Sequence, residues 1–135
     1  MTIKLNKDIK TRDSILFNDG YQPSQYLGGI RHFKRLNVER LTQLIDNGFV
    51  DLTDRQNEAP SIRRIYGFMK KYPNYLAHGY VVDVNRGDYR LSIEGVERGD
   101  CTEDGKIPHK EVYDFYELFH LADEYDEVNM YCWFD

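Results

Sequence analysis

The chain has 135 residues, of which 41% are hydrophobic and 14% are aromatic. This length suits a single domain, residues 1–135, with its own core, and the aromatic content excludes an intrinsically disordered chain. The formal net charge of −5 is divided unevenly, because residues 1–75 carry +5 and residues 76–135 carry −10. Such a division is typical of a charged face for a partner, and also of two ordinary solvated surfaces.

The compartment can be predicted from cysteine usage and from the apolar stretches. Cys101 and Cys132 have no spacing that predicts a disulfide framework or a zinc site. The N-terminal residues contain no signal-peptide core, and no stretch approaches the roughly 20 apolar residues of a membrane span. We therefore expect a cytoplasmic protein with free thiols and no membrane association.

The first half of the chain predicts two helices. Residues 1–35 show no consistent periodicity, because glycine and proline interrupt each short apolar run. The segment 38–47 has apolar residues at helical spacing, begins after the N-cap residue Asn37 and ends before Gly48. A second helix is predicted over about 61–71, where the apolar stripe is flanked by basic residues.

The clearest pattern in the chain predicts a β-hairpin. Residues 77–84 and 89–96 are two runs rich in β-formers around an Asn-Arg-Gly-Asp turn. If Val84 pairs with Tyr89, six side chains share one sheet face, which must then be buried. These side chains are Tyr80, Val82, Val84, Tyr89, Leu91 and Ile93.

The C-terminal part predicts one more helix and one more strand. The helix is expected over about 109–122, and residues 128–134 alternate as a strand that can join the hairpin. The complete prediction is an α+β fold, in which a small three-stranded, mainly antiparallel sheet packs against three helices. The sheet consists of the hairpin 77–96 and the strand 128–134.

Between the hairpin and the third helix, residues 100–111 have the ligand spacing of an EF-hand calcium loop. Two features favour a simple turn instead: the preceding segment alternates like a strand, and Pro108 occupies the ninth position of the loop. Calcium binding is therefore an alternative hypothesis. Its ligands would be Asp100, Thr102, Asp104, the carbonyl group of Lys106, and Glu111.

Nucleic-acid binding is a second alternative, because two helices followed by a hairpin resemble the outline of a winged helix. Residues 48–60 separate the two helices, however, whereas helix-turn-helix units use three or four residues. Because the rest of the chain is acidic, we do not expect nucleic acid to be the main partner. The basic residues available for weak binding are Arg31, Lys34, Arg35, Arg40, Arg63 and Arg64.

The sequence contains no pattern typical of catalysis. It has no nucleophile elbow, no phosphate-binding glycine loop and no HExxH motif. A histidine–carboxylate pair of His78 and Glu94 is conceivable, but the predicted register places these side chains on opposite faces of the hairpin. We therefore expect no enzymatic activity.

The main functional hypothesis rests on the acidic, aromatic C-terminal segment. Exposed aromatic side chains beside a charged surface are typical anchors for a protein partner. We predict a binding or regulatory module that acts through protein–protein contacts, needs no cofactor and recognises a basic surface. The predicted contact residues are Asp123, Glu124, Asp126, Glu127, Tyr131 and Trp133.

Overall fold

The computed structural model describes residues 4–99 and 106–135, and within these ranges the fold is α+β. The helices are α1 (Ile9–Leu16), α2 (Val38–Asp46), α3 (Ile62–Lys71) and α4 (His109–Phe119). The strands are β1 (Ile30–Leu36), β2 (Tyr75–Val82), β3 (Leu91–Arg98), β4 (Glu124–Asp126) and β5 (Tyr131–Trp133). They form one antiparallel sheet in the order β1-β2-β3-β5-β4.

The α+β class is confirmed, but the prediction of three strands and three helices is wrong for the described ranges. Helix α1 and strand β1 both lie in the region without clear periodicity. Two of the four buried residues of α1 are Arg12 and Asp13, so this helix has no apolar stripe. The Arg12 guanidinium contacts the Asp13 carboxylate at 3.0 Å and donates to the Val82 carbonyl at 3.0 Å. A helix that buries a paired charge lacks the apolar periodicity from which an amphipathic helix is predicted.

Helix α2 forms as its caps predict. The Asn37 side chain accepts a hydrogen bond from the Arg40 N–H at 2.9 Å, which satisfies one free donor of the first turn. At the other end Gly48 has a φ of 80°, and the Phe49 N–H donates to the Leu44 carbonyl at 3.0 Å. This is a Schellman ending, and it turns the buried Phe49 side chain back into the core.

Helix α4 is shorter than predicted. It begins after Pro108, as expected, but ends at Phe119 rather than at Ala122. The Ala122 N–H donates to the Phe119 carbonyl in a turn that leads the chain into β4. As a result Leu121, which lies inside the predicted helix 109–122, is outside α4 and 63% exposed.

The predicted hairpin exists, but its register differs from the predicted one by a single residue between Gly79 and the turn; at His78, which pairs with Gly95, the predicted register holds. Val81 pairs with Leu91, and Tyr80 pairs with Ser92. The connection is longer than the predicted turn, because the last hydrogen bond between the strands runs from the Val82 N–H to the Arg90 carbonyl. A one-residue shift exchanges the two faces of a strand, so Val81 lies in the core cluster and Tyr80 does not. Five of the six predicted side chains are nevertheless buried; Val84 is half-buried.

The helices cover one face of the sheet with an aromatic core. The Phe68 ring of α3 contacts the Phe119 ring of α4 edge-on, with centroids 5.2 Å apart, and the Tyr75 ring of β2 at 4.8 Å. Such edge-to-face pairs stabilise a core beyond the area that they bury. In the described ranges no helix is long and apolar enough to cross a membrane.

The second face of the sheet is only partly covered. Near β2 and β3, the Tyr80 hydroxyl contacts the Gln56 side chain at 3.2 Å and Ser92 donates to Asp54 at 3.0 Å. The segment that follows α2 therefore lies over this part of the sheet. Beside it the face is open, and a cleft crosses β1, β2, β3 and β5.

Candidate functional site

The open part of the second sheet face forms a cleft with a volume of about 460 Å³. We call it the Glu94 cleft, after the carboxylate in its lining. This volume lies within the range of pockets that hold a side chain or a small ligand. The side chains that determine its chemistry are His32, Lys34, His78, Glu94, Tyr131 and Trp133.

Glu94 is a desolvated carboxylate without a strong partner. Its side chain is only 12% exposed, and burial raises its pKa. Two neighbours oppose this shift: the His32 imidazole, whose Nδ1 lies 3.8 Å from Oε1, and the Trp133 indole N–H. The His32 side chain is 73% exposed, and 3.8 Å is too long for a hydrogen bond. The negative charge of Glu94 is therefore incompletely compensated.

His78 is a neutral, partly buried residue in the wall of the cleft. Its Nε2 atom is inaccessible to solvent and makes no hydrogen bond within the described ranges. Burial lowers the pKa of His78 to about 4, although the nearby Cys132 carbonyl group opposes this effect. At neutral pH the imidazole therefore carries no charge that could neutralise Glu94.

The remaining walls are aromatic and lie close to further carboxylates. Tyr131 and Trp133 both line the cleft, whereas Cys132 between them is buried. The pKa of Tyr131 is raised first by burial and then by negative charges that include Glu124 and Glu97. Aromatic faces beside carboxylates attract a cation both through the ring quadrupole and through Coulomb forces.

A β-bulge brings Glu94 into the cleft. His78 pairs with Gly95 and Gly79 pairs with Ile93, so Glu94 is the extra residue of β3. A Cβ atom on Gly95 would overlap the Cys132 carbonyl oxygen and lie 2.7 Å from His78 Nε2. Glycine is thus required for the close approach of β3 and β5 that closes this side of the cleft.

This geometry corrects the expectation that His78 and Glu94 lie on opposite faces. Both line the same cleft, because Glu94 is the extra residue of a β-bulge, which reorients the strand at this position. His32 was not among the predicted site residues, because β1 was not predicted. The only local signal was Gly95, an isolated glycine in a strand pattern, which is typical of a bulge.

The structure separates the predicted partner-binding residues into two groups. Tyr131 and Trp133 line the Glu94 cleft, and Glu124 lies close enough to Tyr131 to raise its pKa. The other three acidic residues make local contacts. Asp123 accepts from the Asp135 N–H at 2.7 Å, Asp126 accepts from the Asn129 side chain at 2.7 Å, and Glu127 accepts from the Tyr125 hydroxyl at 2.6 Å.

Most of the predicted calcium ligands, Asp100, Thr102 and Asp104, lie outside the described residues. Lys106 is exposed at the start of the segment that leads into α4. Glu111 is buried, and its Oε2 atom accepts hydrogen bonds from the Tyr75 hydroxyl at 2.7 Å and from Arg98 Nε at 2.8 Å. To coordinate calcium through both oxygens, Glu111 would have to give up these hydrogen bonds and bind the metal instead.

A metal centre elsewhere would need several ligands close together. Among residues 4–99 and 106–135, no group of three or more His, Cys, Asp or Glu side chains is arranged to hold a metal ion. Cys132 is a poor ligand and nucleophile, because burial raises the pKa of its thiol to about 12.

Comparison of the chain with protein-family models, with curated proteins and with solved structures found no match.

Proposed function

We propose that this protein is a binding module that receives a lysine or arginine side chain of a basic protein partner in the Glu94 cleft. The observation that carries the proposal is the Glu94 carboxylate, which is only 12% exposed and incompletely compensated, among aromatic side chains. A cationic group in the cleft would restore the electrostatic stabilisation that Glu94 loses on burial.

The aromatic walls support a cation rather than a neutral ligand. The Trp133 and Tyr131 rings line the same cleft as Glu94, and a guanidinium or ammonium group over an aromatic face gains cation–π energy. His78 is neutral, so it does not repel such a group. Lys34 is the one permanently charged cation among the lining residues, and it is exposed.

The acidic C-terminal segment contributes at longer range. Glu97 and Glu124 lie near Tyr131, and the segment 123–127 adds further carboxylates. Negative charge around a binding cleft accelerates the encounter with a basic partner and excludes acidic ones. The proposed partner-binding residues therefore remain Asp123, Glu124, Asp126, Glu127, Tyr131 and Trp133, now with Glu94 and His32; the acidic ones act mainly through their charge.

The single tryptophan of the chain, Trp133, provides the experiment. Short peptides with one arginine or lysine, and matched peptides with citrulline or acetyl-lysine, are titrated while Trp133 fluorescence is recorded. We expect the charged peptides to change the fluorescence and the neutral peptides to leave it unchanged.

The matched variants are Glu94→Gln, in the cleft, and Glu117→Gln, which neutralises an exposed carboxylate of α4. We expect Glu94→Gln to weaken binding at least about tenfold, which is about 1.4 kcal/mol, and Glu117→Gln to have little effect. Equal binding by both variants, or equal responses to charged and neutral peptides, would refute the proposal.

A further inference from the structure

A second cleft lies on the other side of β1, with the opposite charge. It has a volume of about 730 Å³ and shares His32, Phe33 and Lys34 with the Glu94 cleft. We call it the basic groove. Its cationic lining residues are Arg31, Lys34, Arg35 and Arg40.

A bulge in β1 and the start of α2 bring these cations together. Phe33 pairs with Gly79 and Leu36 pairs with Ala77, so Lys34 and Arg35 oppose a single residue of β2. Arg35 adopts a φ of 58°, a left-handed conformation that is uncommon for a residue with a side chain. As a result, Lys34 and Arg35 are both exposed.

The fourth cation comes from the first turn of α2. The Arg40 N–H is fixed by the Asn37 cap at 2.9 Å, and Asn37 also lines the groove. The groove is thus built on the end of a strand and the start of a helix. The backbone under Arg40 is held by this cap, so its side chain projects from a rigid base.

Only one of the four cations is neutralised within residues 4–99 and 106–135. Arg31 contacts the Asp19 carboxylate at 2.8 Å, donates to the Gly20 carbonyl at 3.1 Å and lies over the Phe17 ring at 3.5 Å. Lys34, Arg35 and Arg40 make no ion pair in the described ranges. Three uncompensated positive charges therefore share one groove on a chain whose net charge is −5.

We propose that the basic groove is a binding site for a phosphate monoester group. A monoester carries a charge of about −1.5 to −2 at neutral pH and three strong acceptor oxygens, which match two guanidinium groups and one ammonium group. Leu16, Phe33 and Leu76 give the groove an apolar wall for the rest of the ligand. The site does not depend on the function proposed for the Glu94 cleft.

The charge distribution favours a single phosphate group over a nucleic-acid strand. A nucleic acid is held by a track of cations along successive phosphates. In the lining of the basic groove the cations without an ion pair are confined to residues 34–40, and residues 76–135 carry a net charge of −10. An extended polyanion would be repelled beyond the groove.

Calorimetric titration tests the site with four probes: inorganic phosphate, a phosphoserine peptide, its unphosphorylated counterpart and a single-stranded RNA. We expect heat from inorganic phosphate, from the phosphoserine peptide or from both, and none from the unphosphorylated peptide. Tighter binding of the phosphopeptide identifies a modified side chain as the source, and equal binding identifies a free phosphorylated molecule.

The matched variants are Arg40→Gln in the groove and Arg63→Gln, an exposed cation of α3. We expect Arg40→Gln to weaken phosphate binding at least about tenfold and Arg63→Gln to change it less than about twofold. A folded Arg40→Gln variant with unchanged phosphate affinity would overturn the proposal. So would tight RNA binding without phosphate binding, or equal affinity for the two peptides.

Discussion

The His78 imidazole ring lies almost parallel to the Tyr131 ring, with 14° between the planes and 5.4 Å between the centroids. This contact joins β2 to β5, two strands that are not neighbours in the sheet, across the bulge in β3. Tyr131 forms part of the wall of the Glu94 cleft, and His78 Nε2 is inaccessible to solvent. The His78 ring is thus part of the cleft, and its burial there lowers its pKa.

His78→Phe is expected to remove part of the acid sensitivity of the fold. The pKa of His78 is about 4 in the folded state and 6.5 when the side chain is unperturbed, so unfolding takes up a proton between these values. This contribution to stability is present above pH 6.5 and is lost as the pH falls towards 4; it amounts to at most about 3.4 kcal/mol.

Urea denaturation of wild type and His78→Phe across this pH window measures the effect. As the pH falls, the wild type should lose free energy of unfolding relative to His78→Phe, because phenylalanine has no proton to bind. His109→Gln, which removes an exposed imidazole, serves as the control. Parallel pH curves for wild type and His78→Phe would show that His78 is not protonated on unfolding in this window.

Glu94→Gln is expected to stabilise the fold at neutral pH, even though it removes the proposed binding function. Burial raises the pKa of Glu94 above its ordinary value of 4.5, so the folded protein binds a proton more readily than the unfolded chain. The stability of the wild type therefore decreases as the pH rises through the window above 4.5. In thermal denaturation, the stability of Glu94→Gln relative to the wild type should therefore increase as the pH rises through this window. A difference between the two proteins that stays constant at all pH values would contradict this.

Gly95→Ala tests the close approach of β3 and β5. Its methyl group would overlap the Cys132 carbonyl oxygen, which is backbone and cannot rotate away. We expect a loss of about 1–3 kcal/mol in the free energy of unfolding, as for other overpacked interiors. Gly87→Ala is the control, because nothing lies within 4 Å of the added group, and its effect should stay within about 0.5 kcal/mol. Equal effects of the two substitutions would show that Gly95 does not lie against the Cys132 carbonyl group.

Glu111→Ala is expected to destabilise the junction between α4 and the sheet. The Glu111 and Arg98 side chains are only 7% and 8% exposed, and Glu111 also accepts from Tyr75. Removing one member of a buried ion pair leaves the other poorly solvated, so we expect a loss of about 3 kcal/mol in chemical denaturation. Glu117→Ala on the same helix is exposed and should have little effect.

Calcium is expected to leave the melting temperature unchanged, because Glu111 already accepts hydrogen bonds from Tyr75 and Arg98. A ligand present at a hundred times its dissociation constant would stabilise the fold by about 2.7 kcal/mol, which thermal denaturation detects easily. An increase with calcium that Asp104→Asn abolishes would instead support the metal hypothesis for residues 100–111.

Local sequence patterns determined the elements whose signals are themselves local. Asn37 and Gly48 fix the ends of α2 through hydrogen bonds within a few residues, and the apolar stripe of α3 marks its buried face. The existence of the β2–β3 hairpin followed from two runs of β-formers. These features need no knowledge of the rest of the fold.

Only the tertiary structure determined the register between β2 and β3, the elements without a periodic signal, and the clefts. The extra residue at Glu94 depends on how close β5 can approach Gly95, and α1 depends on a partner for Arg12 from β2. Such contacts join residues far apart in the chain, so no local periodicity encodes them. The sequence supplied the aromatic and charged side chains, and the pairing of distant strands determined which of them share a cleft.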